Sequence, residues 1–336
     1  MPRRYSPGKI LSGMVGRKPL PVLNYFSSDM EKAIGSALGA DSFDLVHCDT
    51  TLMSSYAALW RGMAKPLGCL YDWHNIDSEL MSRFAEGQAN PLRSVYARLT
   101  ANKYQDFEDR LLGADIHTVC SERERDLLSK RVPGARISVV ENGVDTSAFS
   151  PQFPRMDKAN LLFVGSMDYH ANIEAVHWFV RDFWPAIRES FPSLRFVIAG
   201  SRPVESIVEL GSKDQRIQVT GTVESLAPYY EESLASLVPI RSGSGTRLKI
   251  LEAMAAGVPV LSTRIGAEGL PVINGENILF GENASEWIHS LKALISSQEL
   301  QNKLSMSALK MVRAQYDWAR IGESMFGCYK SAIHAG

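Results

Sequence analysis

The segment SLVPIRSGSGTRLKILEAMAAGVPVLS, residues 236–262, contains one complete strand–helix–strand repeat. Apolar runs at 236–239 and 258–262 have the length and composition of buried strands, and residues 247–256 between them have a helical pattern. Two strands joined through a helix run parallel, because the helix returns the chain to the end of the sheet where the first strand began. The segment therefore predicts a parallel, doubly wound α/β domain.

The same alternation extends along the whole chain of 336 residues, which is long enough for two domains with separate cores. The predicted strands are 43–48, 67–71, 116–120 and 137–140, then 160–165, 195–199, 216–220, 236–239, 258–262 and 277–280. The predicted helices are 28–39, 51–62, 76–86, 92–112 and 121–130, then 172–189, 203–210, 224–233, 247–256, 284–296, 298–315 and 317–333. These patterns predict two Rossmann-like domains.

A stretch with two prolines and little periodicity, ENGVDTSAFSPQFPRMDKAN at 141–160, separates the two halves. We expect an N-terminal Rossmann-like domain at 1–146, a linker at 147–158 and a C-terminal Rossmann-like domain at 159–316. A final helix at 317–336 is expected to pack back toward the first domain. The first half lacks an opening strand with a glycine-rich turn, so we expect its domain to be abbreviated or truncated.

Composition excludes several classes of protein. Residues 1–150 carry 18 basic and 18 acidic side chains, leaving 18 and 19 for the rest, so neither half is the polycation that nucleic-acid binding favours. Four widely spaced cysteines without a CxxC pair favour buried thiols and a reducing cytoplasm. No apolar run follows MPRR at the start of the sequence, so we expect no signal peptide, and we find no run of about 20 apolar residues that would cross a bilayer.

The start of the chain suggests a weak peripheral contact with the inner face of a membrane. Basic and apolar side chains alternate there, which suits an anionic lipid surface, although a solvated terminus is the plainer interpretation. The residues concerned are Arg3, Arg4, Lys9, Ile10, Leu11, Met14, Arg17 and Lys18.

Glycine-containing loops follow four predicted strands of the second half. They are GSMDYHAN, GSRP, GTV and IRSGSGT, beginning at residues 165, 200, 221 and 240. In open α/β sheets ligands bind beyond the carboxyl ends of the strands, and glycine lets the backbone approach them closely. No loop fits the dinucleotide fingerprint or the P-loop pattern, so hydride transfer and simple NTP hydrolysis are disfavoured.

Several segments resemble the family 4 retaining glycosyltransferases. The strongest is PIRSGSGTRLKILEAMAAGVPVLSTRIGAEGL at 239–270, followed by VVENGVDTSAFSP at the junction of the halves and LLFVGSMDYHANIEAV at 161–176. With HNIDSEL at 74–80, they are similar to a bacterial subgroup associated with polysaccharide assembly. The resemblance implies a GT-B fold, in which two Rossmann-like domains face a cleft and the C-terminal domain holds the nucleotide sugar.

The resemblance also assigns candidate residues for binding the donor. Glu252 matches the family's second glutamate, which binds the ribose hydroxyls, whereas Ser244 stands where the first glutamate is usual. Arg202 is expected to replace in part the basic side chains that the family carries on nearby loops. The remaining donor-binding candidates are Gly165 and Ser166 at the diphosphate, Thr222 and Val223 at the base, and Gly245, Thr246, Arg247 and Lys249 around the SGSGT loop.

Arg247 and Lys249 lie near the start of the predicted helix 247–256, where the helix dipole disfavours cations. A diphosphate bound by the amides of residues 244–247 would make both positions favourable, and the two cations would then stabilise the departing phosphate. We therefore expect Arg247 and Lys249 to be catalytic, and Arg247→Ala to lower turnover more than donor affinity. The alternative is that both side chains extend into solvent.

His74 is the third catalytic candidate, because the family often has a histidine near the transferred sugar in the loop after a first-domain strand. A structural histidine beside Trp73 is the alternative. Asp72 and Asp77 flank this loop without forming a DxD motif, and the family generally needs no metal, so we expect neither a metal site nor a cofactor.

Together these residues predict a retaining glycosyltransferase that transfers a sugar from a UDP- or GDP-sugar to a saccharide or lipid-linked acceptor in polysaccharide or glycoconjugate biosynthesis. Two alternatives stay open. One is a GT-B-type sugar-nucleotide epimerase, which needs further acid and base carboxylates. The other is a non-catalytic nucleotide-sugar-binding fragment, which Ser244 and the incomplete first domain favour.

Overall fold

The computed structural model describes residues 8, 12–13, 16–64, 67–88, 90–113, 115–241 and 248–335. The chain forms two compact units, the first comprising residues 1–141 with 322–336 and the second residues 142–321. Each unit is built on its own parallel sheet. Residues 147–158, the predicted linker, lie in the second unit, and the end of the predicted final helix groups with the first.

The first unit has a sheet of four parallel strands in the order β1-β2-β3-β4. The strands are β1 Leu45–Cys48, β2 Gly68–Trp73, β3 Ile116–Val119 and β4 Arg136–Val139. The helices described around them are α1 Leu20–Tyr25, α2 Ser28–Ala40, α3 Ala58–Arg61, α4 Asp77–Glu86, α5 Pro91–Leu112 and α6 Glu122–Arg131, with a 3₁₀ helix at Thr51–Tyr56. Tyr71 and Trp73 project from one face of β2 into the core, as the period of two in a strand requires.

The second unit has six parallel strands in the order β10-β9-β8-β5-β6-β7. The strands are β5 Asn160–Val164, β6 Arg195–Ala199, β7 Ile217–Val219, β8 Ser233–Val238, β9 Val260–Ser262 and β10 Leu279–Phe280. The helices described are α7 His170–Asp182, α8 Trp184–Ser190, α9 Glu205–Lys213, α10 Ala227–Glu231, α11 Leu248–Ala255, α12 Ala284–Ser296 and α13 Gln298–Gln315, with 3₁₀ helices at Thr146–Ala148 and Ile265–Ala267. The chain order reverses between β5 and β8, which is the point where open α/β sheets bind ligands.

The final helix, α14, spans Trp318–Ala335. Its residues from Gly322 onward belong to the first unit. There the carbonyl oxygen of Ala332 lies 2.6 Å from where a Cβ on Gly68 would be placed, so glycine at the start of β2 permits this close packing. No helix among the described residues is both long and apolar enough to cross a membrane.

Three predicted helices differ from the structure. The 51–62 helix is a 3₁₀ helix followed by the single turn α3, and the Thr50 hydroxyl accepts a hydrogen bond from the Leu52 N–H at the start of the 3₁₀ helix. The 172–189 helix divides into α7 and α8 around Phe183, since Pro185 lacks the N–H that would continue the helical ladder. The 224–233 helix shortens to α10, and Ser233 begins the fully buried strand β8.

Candidate functional site

A cavity of about 580 Å³ opens at the point where the strand order of the second unit reverses. Its lining comes from the segments after β5, β6 and β7 and from helices α7 and α11. The lining residues are Val164, Gly165, Ser166, Tyr169, Asn172, Gly200, Ser201, Thr222, Val223, Leu226, Leu248, Lys249 and Glu252. Six of the predicted donor-binding residues are thus brought together: Gly165, Ser166, Thr222, Val223, Lys249 and Glu252.

Glycines let the ends of β5 and β6 meet at the cavity. Gly200 has a φ of +147°, and a Cβ there would lie 1.9 Å from the carbonyl oxygen of Gly165. A Cβ on Gly165 would in turn lie 2.6 Å from the side-chain nitrogen of Asn172. Neither position can carry a side chain without displacing backbone or Asn172, so both glycines are required to form this wall of the cavity.

Lys249 and Asn172 connect α11 with α7 across the cavity. The Lys249 Nζ donates a hydrogen bond to Asn172 Oδ1 at 2.8 Å, and Asn172 Nδ2 donates to the backbone oxygen of Ser166 at 2.9 Å. The same ammonium lies 4.2 Å from the centre of the Phe163 ring, where the ring face attracts a cation. These contacts hold a half-buried positive charge beside the first turn of α7, whose N-terminal dipole also favours an anion.

Glu252 is oriented by a tyrosine of α10. The hydroxyl of Tyr230, which is fully buried, donates to Glu252 Oε2 at 3.0 Å. Burial raises the pKa of Glu252, although the Tyr230 hydrogen bond and the charge of Lys249 act in the opposite direction. Burial and the neighbouring carboxyl likewise raise the pKa of Tyr230, so its hydroxyl keeps its proton and remains a donor. The arrangement presents a carboxyl group with acceptor capacity toward the cavity.

Of the other donor-binding candidates, the structure describes Arg202 alone. Arg202 stands beside the cavity, where its Nε lies 2.8 Å from Asp168 Oδ2 and its Nη2 donates to Ser166 Oγ at 3.2 Å. The predicted residues Ser244, Gly245, Thr246 and Arg247 lie outside the described residues. Most of the proposed membrane-contact residues at the start of the chain lie outside them too, namely Arg3, Arg4, Lys9, Ile10, Leu11 and Met14.

In the first unit, His74 follows the carboxyl end of β2 and is exposed. Its Nε2 lies 3.0 Å from the backbone oxygen of Asp49 and 3.1 Å from Asp49 Oδ1. Within the described residues, ligand atoms of His47, Asp49 and Asp72 lie within 4.8 Å of one another, so this edge of the sheet has groups that could hold a cation. Sequence reasoning expected no metal site, because the sequence has no DxD motif here and because the family that it resembles generally needs no metal.

Sequence reasoning also missed Asn172 and Tyr230. Each acts through a partner distant in the chain, because Asn172 bonds to Lys249 and Tyr230 to Glu252. Asn172 did have a signal, since it is the last residue of the segment GSMDYHAN after β5 and lies in the first turn of the next helix.

Two family models match the chain in succession. The model described as glycosyltransferase family 4 matches residues 10–148, and the model described as glycosyl transferases group 1 matches residues 158–297. The two matches fall on the first and second units respectively.

Curated relatives are similar over part of their length. The chain is 22% identical over 178 residues to an uncharacterized 44.6 kDa protein in the cps region of Klebsiella pneumoniae, covering 51% of this chain and 46% of that protein. It is 30% identical over 232 residues to the D-inositol 3-phosphate glycosyltransferase of Nocardiopsis dassonvillei, covering 59% and 52%. The chain thus spans about half the length of these two relatives.

Solved structures with the same fold cover most of the chain. Sucrose-phosphate synthase from Thermosynechococcus elongatus aligns with a TM-score of 0.71 and 20% identity, over 92% of this chain and 78% of that one. The Anabaena protein HepE, crystallised with UDP, aligns with a TM-score of 0.67 and 14% identity, over 90% and 82%.

Two Rossmann-like units with these structural neighbours define a protein of the GT-B class, as the sequence predicted. The chain belongs to the family 4-type glycosyltransferases, with the family 4 domain first and the group 1 domain second.

Proposed function

We propose that the chain is a retaining glycosyltransferase that moves a sugar from a UDP- or GDP-sugar to a saccharide or lipid-linked acceptor in polysaccharide or glycoconjugate biosynthesis. The observation that carries the proposal is the cavity of the second unit, which combines a carboxyl group, an ammonium group and two closely packed glycines. HepE in complex with UDP and the relative from a cps region support the choice of nucleotide and pathway. Because the four cysteines are buried thiols and not disulfides, we place the reaction in the reducing cytoplasm.

Each group in the cavity has a role in holding the donor. Glu252 accepts hydrogen bonds from the ribose hydroxyls, and the backbone around Gly165 and Ser166 approaches the diphosphate. Thr222 and Val223 contact the base through their main chain. Lys249 and Arg247, the latter outside the described residues, neutralise the diphosphate.

The chemical step uses the leaving group as the base. The acceptor oxygen bonds to the anomeric carbon on the face from which the diphosphate departs, the bond from that carbon to the phosphate oxygen breaks, and the hydroxyl proton passes to the departing phosphate. The Lys249 ammonium stabilises the transition state more than the bound donor, because negative charge accumulates on the departing phosphate as this bond breaks. His74 contacts the transferred sugar, and we expect the reaction to need no metal.

A screen of UDP- and GDP-sugars for thermal stabilisation and for sugar release tests the proposal. We expect at least one nucleotide sugar to raise the melting temperature and to be hydrolysed slowly without acceptor. Lys249→Met should reduce both effects, whereas Lys292→Met, which changes an exposed lysine of α12, should leave them unchanged.

The same screen separates the alternatives. Binding without sugar release, even with acceptors present, would indicate a non-catalytic nucleotide-sugar-binding protein. Conversion of one nucleotide sugar into its epimer would indicate an epimerase. No stabilisation by any nucleotide sugar would contradict all three functions.

A further inference from the structure

The first half of α5 exposes four large apolar side chains. The exposed fractions are 82% for Leu92, 56% for Val95, 52% for Tyr96 and 57% for Leu99. Their spacing of three, four and seven residues places them on one face of the helix, over a length of about 10 Å. We call these four residues the α5 stripe.

The α5 stripe is separate from the face of the helix that packs against the rest of the unit. Ala97, Ala101 and Tyr104 are buried, and Glu108 accepts hydrogen bonds from Ser78 of α4 on that side. This other face supplies the packing, and the stripe leaves four large apolar side chains exposed in the part of the chain that the structure describes. Contiguous patches of this kind mark interaction surfaces in proteins that otherwise bury their apolar side chains.

Exposed arginines lie on either side of the stripe. Arg93 and Arg98 are exposed and lie about 110° to either side of the stripe, at 100° per residue along the helix. Lys103 follows one turn later, and its Nζ donates to the backbone oxygen of Gly13 at 2.6 Å. Residues 87–105 contain these three cations and no Asp or Glu. Asp77 of α4 lines one cavity with Tyr96, and burial raises the pKa of its carboxyl group to about 6.

We propose that the α5 stripe docks the first unit onto an anionic phospholipid surface. An apolar helix face bordered by arginines buries its apolar side chains at the acyl boundary while the cations reach the headgroup phosphates. The two arginines favour an anionic lipid surface over a second copy of the chain, because self-association through the stripe would bring the arginines of both copies close together and they would repel each other. The site differs from the opening segment at residues 3–18, and it does not depend on the transfer reaction.

Co-sedimentation with lipid vesicles tests this proposal. We expect the parent chain to bind vesicles of phosphatidylcholine with phosphatidylglycerol, to bind phosphatidylcholine alone weakly, and to dissociate as salt is raised. The double variant Leu92→Asp, Leu99→Asp should lose binding, and Arg93→Gln with Arg98→Gln should weaken it about 25-fold, or fivefold per arginine. The control Met306→Asp, on a side chain of α13 that is 57% exposed, should bind like the parent.

Three results would overturn the proposal. They are no binding of the parent to anionic vesicles, equal binding by the double aspartate variant, and an aspartate-induced change from dimer to monomer in light scattering. Nucleotide affinity is measured on the same samples and should be unchanged in every variant. A loss of vesicle binding with intact nucleotide affinity therefore separates this proposal from the proposed function.

Discussion

At the scale of single residues, the ionised carboxylate of Glu252 is destabilised by burial in the absence of a ligand, and a ligand that donates hydrogen bonds would stabilise it. It lies on α11, where burial raises its pKa, and Tyr230 is its described hydrogen-bond donor. One donor leaves acceptor capacity on a carboxylate, which can accept several hydrogen bonds. The ribose hydroxyls of a nucleotide would donate the remaining hydrogen bonds to this carboxylate.

Glu252→Gln should therefore stabilise the nucleotide-free chain at pH 8. A carboxyl group with a raised folded-state pKa favours folding when it is protonated, and this contribution is lost as pH rises through that pKa. Glutamine keeps an acceptor for Tyr230 without carrying the charge. Scanning calorimetry of the parent and the variant at pH 8 and pH 4 checks this expectation, and a variant that is less stable at pH 8 would contradict it.

His117 gives the first unit a pH dependence of the opposite sign. It is fully buried, its Nδ1 accepts a hydrogen bond from Trp73 Nε1 at 3.1 Å, and burial lowers its pKa from 6.5 to about 4. A depressed pKa stabilises the fold above pH 6.5, and the contribution of up to about 3 kcal/mol is lost as pH falls toward 4.

We expect His117→Gln to remove much of the loss in stability between pH 6.5 and pH 4, measured as the melting temperature of the first unit. His289→Gln, which changes an exposed histidine of the second unit, is the control. The difference between parent and variant is the useful quantity, because Asp77, with a pKa raised by burial to about 6, titrates in the same range with the opposite effect. A parallel pH profile for parent and His117→Gln would refute this assignment.

At the scale of secondary-structure elements, Arg155 fixes the helices that carry Glu252 and Tyr230. Its side chain is 2% exposed and donates to backbone oxygens at the C-terminal ends of α10 and α11. The acceptors and distances are Tyr230 at 2.8 Å, Glu231 at 2.9 Å, Ser233 at 3.1 Å, Ala256 at 2.8 Å and Gly257 at 3.2 Å. These oxygens include carbonyl groups that have no N–H partner at the end of a helix. The guanidinium supplies the donors that a further helical turn would have provided.

Arg155→Met should destabilise the second unit by at least about 3 kcal/mol, because several buried carbonyl groups lose their donor. Arg155→Lys should fall between the parent and the methionine variant, since a single ammonium cannot span both helix ends. Chemical denaturation, followed by the fluorescence of the second unit, gives the free energy of unfolding of the parent and of each variant. Arg195→Met at the exposed start of β6 is the control, and equal stability of Arg155→Met and this control would exclude the proposed role of Arg155.

Elements with strong periodicity could be predicted from the sequence, whereas contacts between elements could not. The spans 284–296 and 298–315 agree with α12 and α13, because long amphipathic patterns with serine or asparagine caps fix a helix locally. At Ser233 the fully buried strand β8 overrides the local helical pattern, whereas the break at Phe183 comes from Pro185, a local signal. The glycine loops placed Gly165 and Thr222 at the cavity, but Asn172 joins the site through Lys249, 77 residues away.

At the scale of the whole molecule, the two units divide the proposed work. The second unit carries the six-stranded sheet and, at its reversal point, the cavity that we propose binds the nucleotide. The first unit carries His74 at the edge of a four-stranded sheet and the α5 stripe on its surface. A lipid-linked acceptor would suit this division, because His74 and the α5 stripe, which we propose docks on lipid, belong to the same unit.

The central claim is that the cavity of the second unit binds a nucleoside diphosphate through Glu252. The most direct test is calorimetric titration of UDP and GDP into the parent, Glu252→Gln and the exposed control Glu276→Gln. We predict that one nucleotide binds the parent and the control equally, and that Glu252→Gln loses about 1.5–3 kcal/mol, the range for hydrogen bonds to a charged group. Equal affinity in Glu252→Gln and the parent, or no binding of either nucleotide to the parent, would contradict the claim.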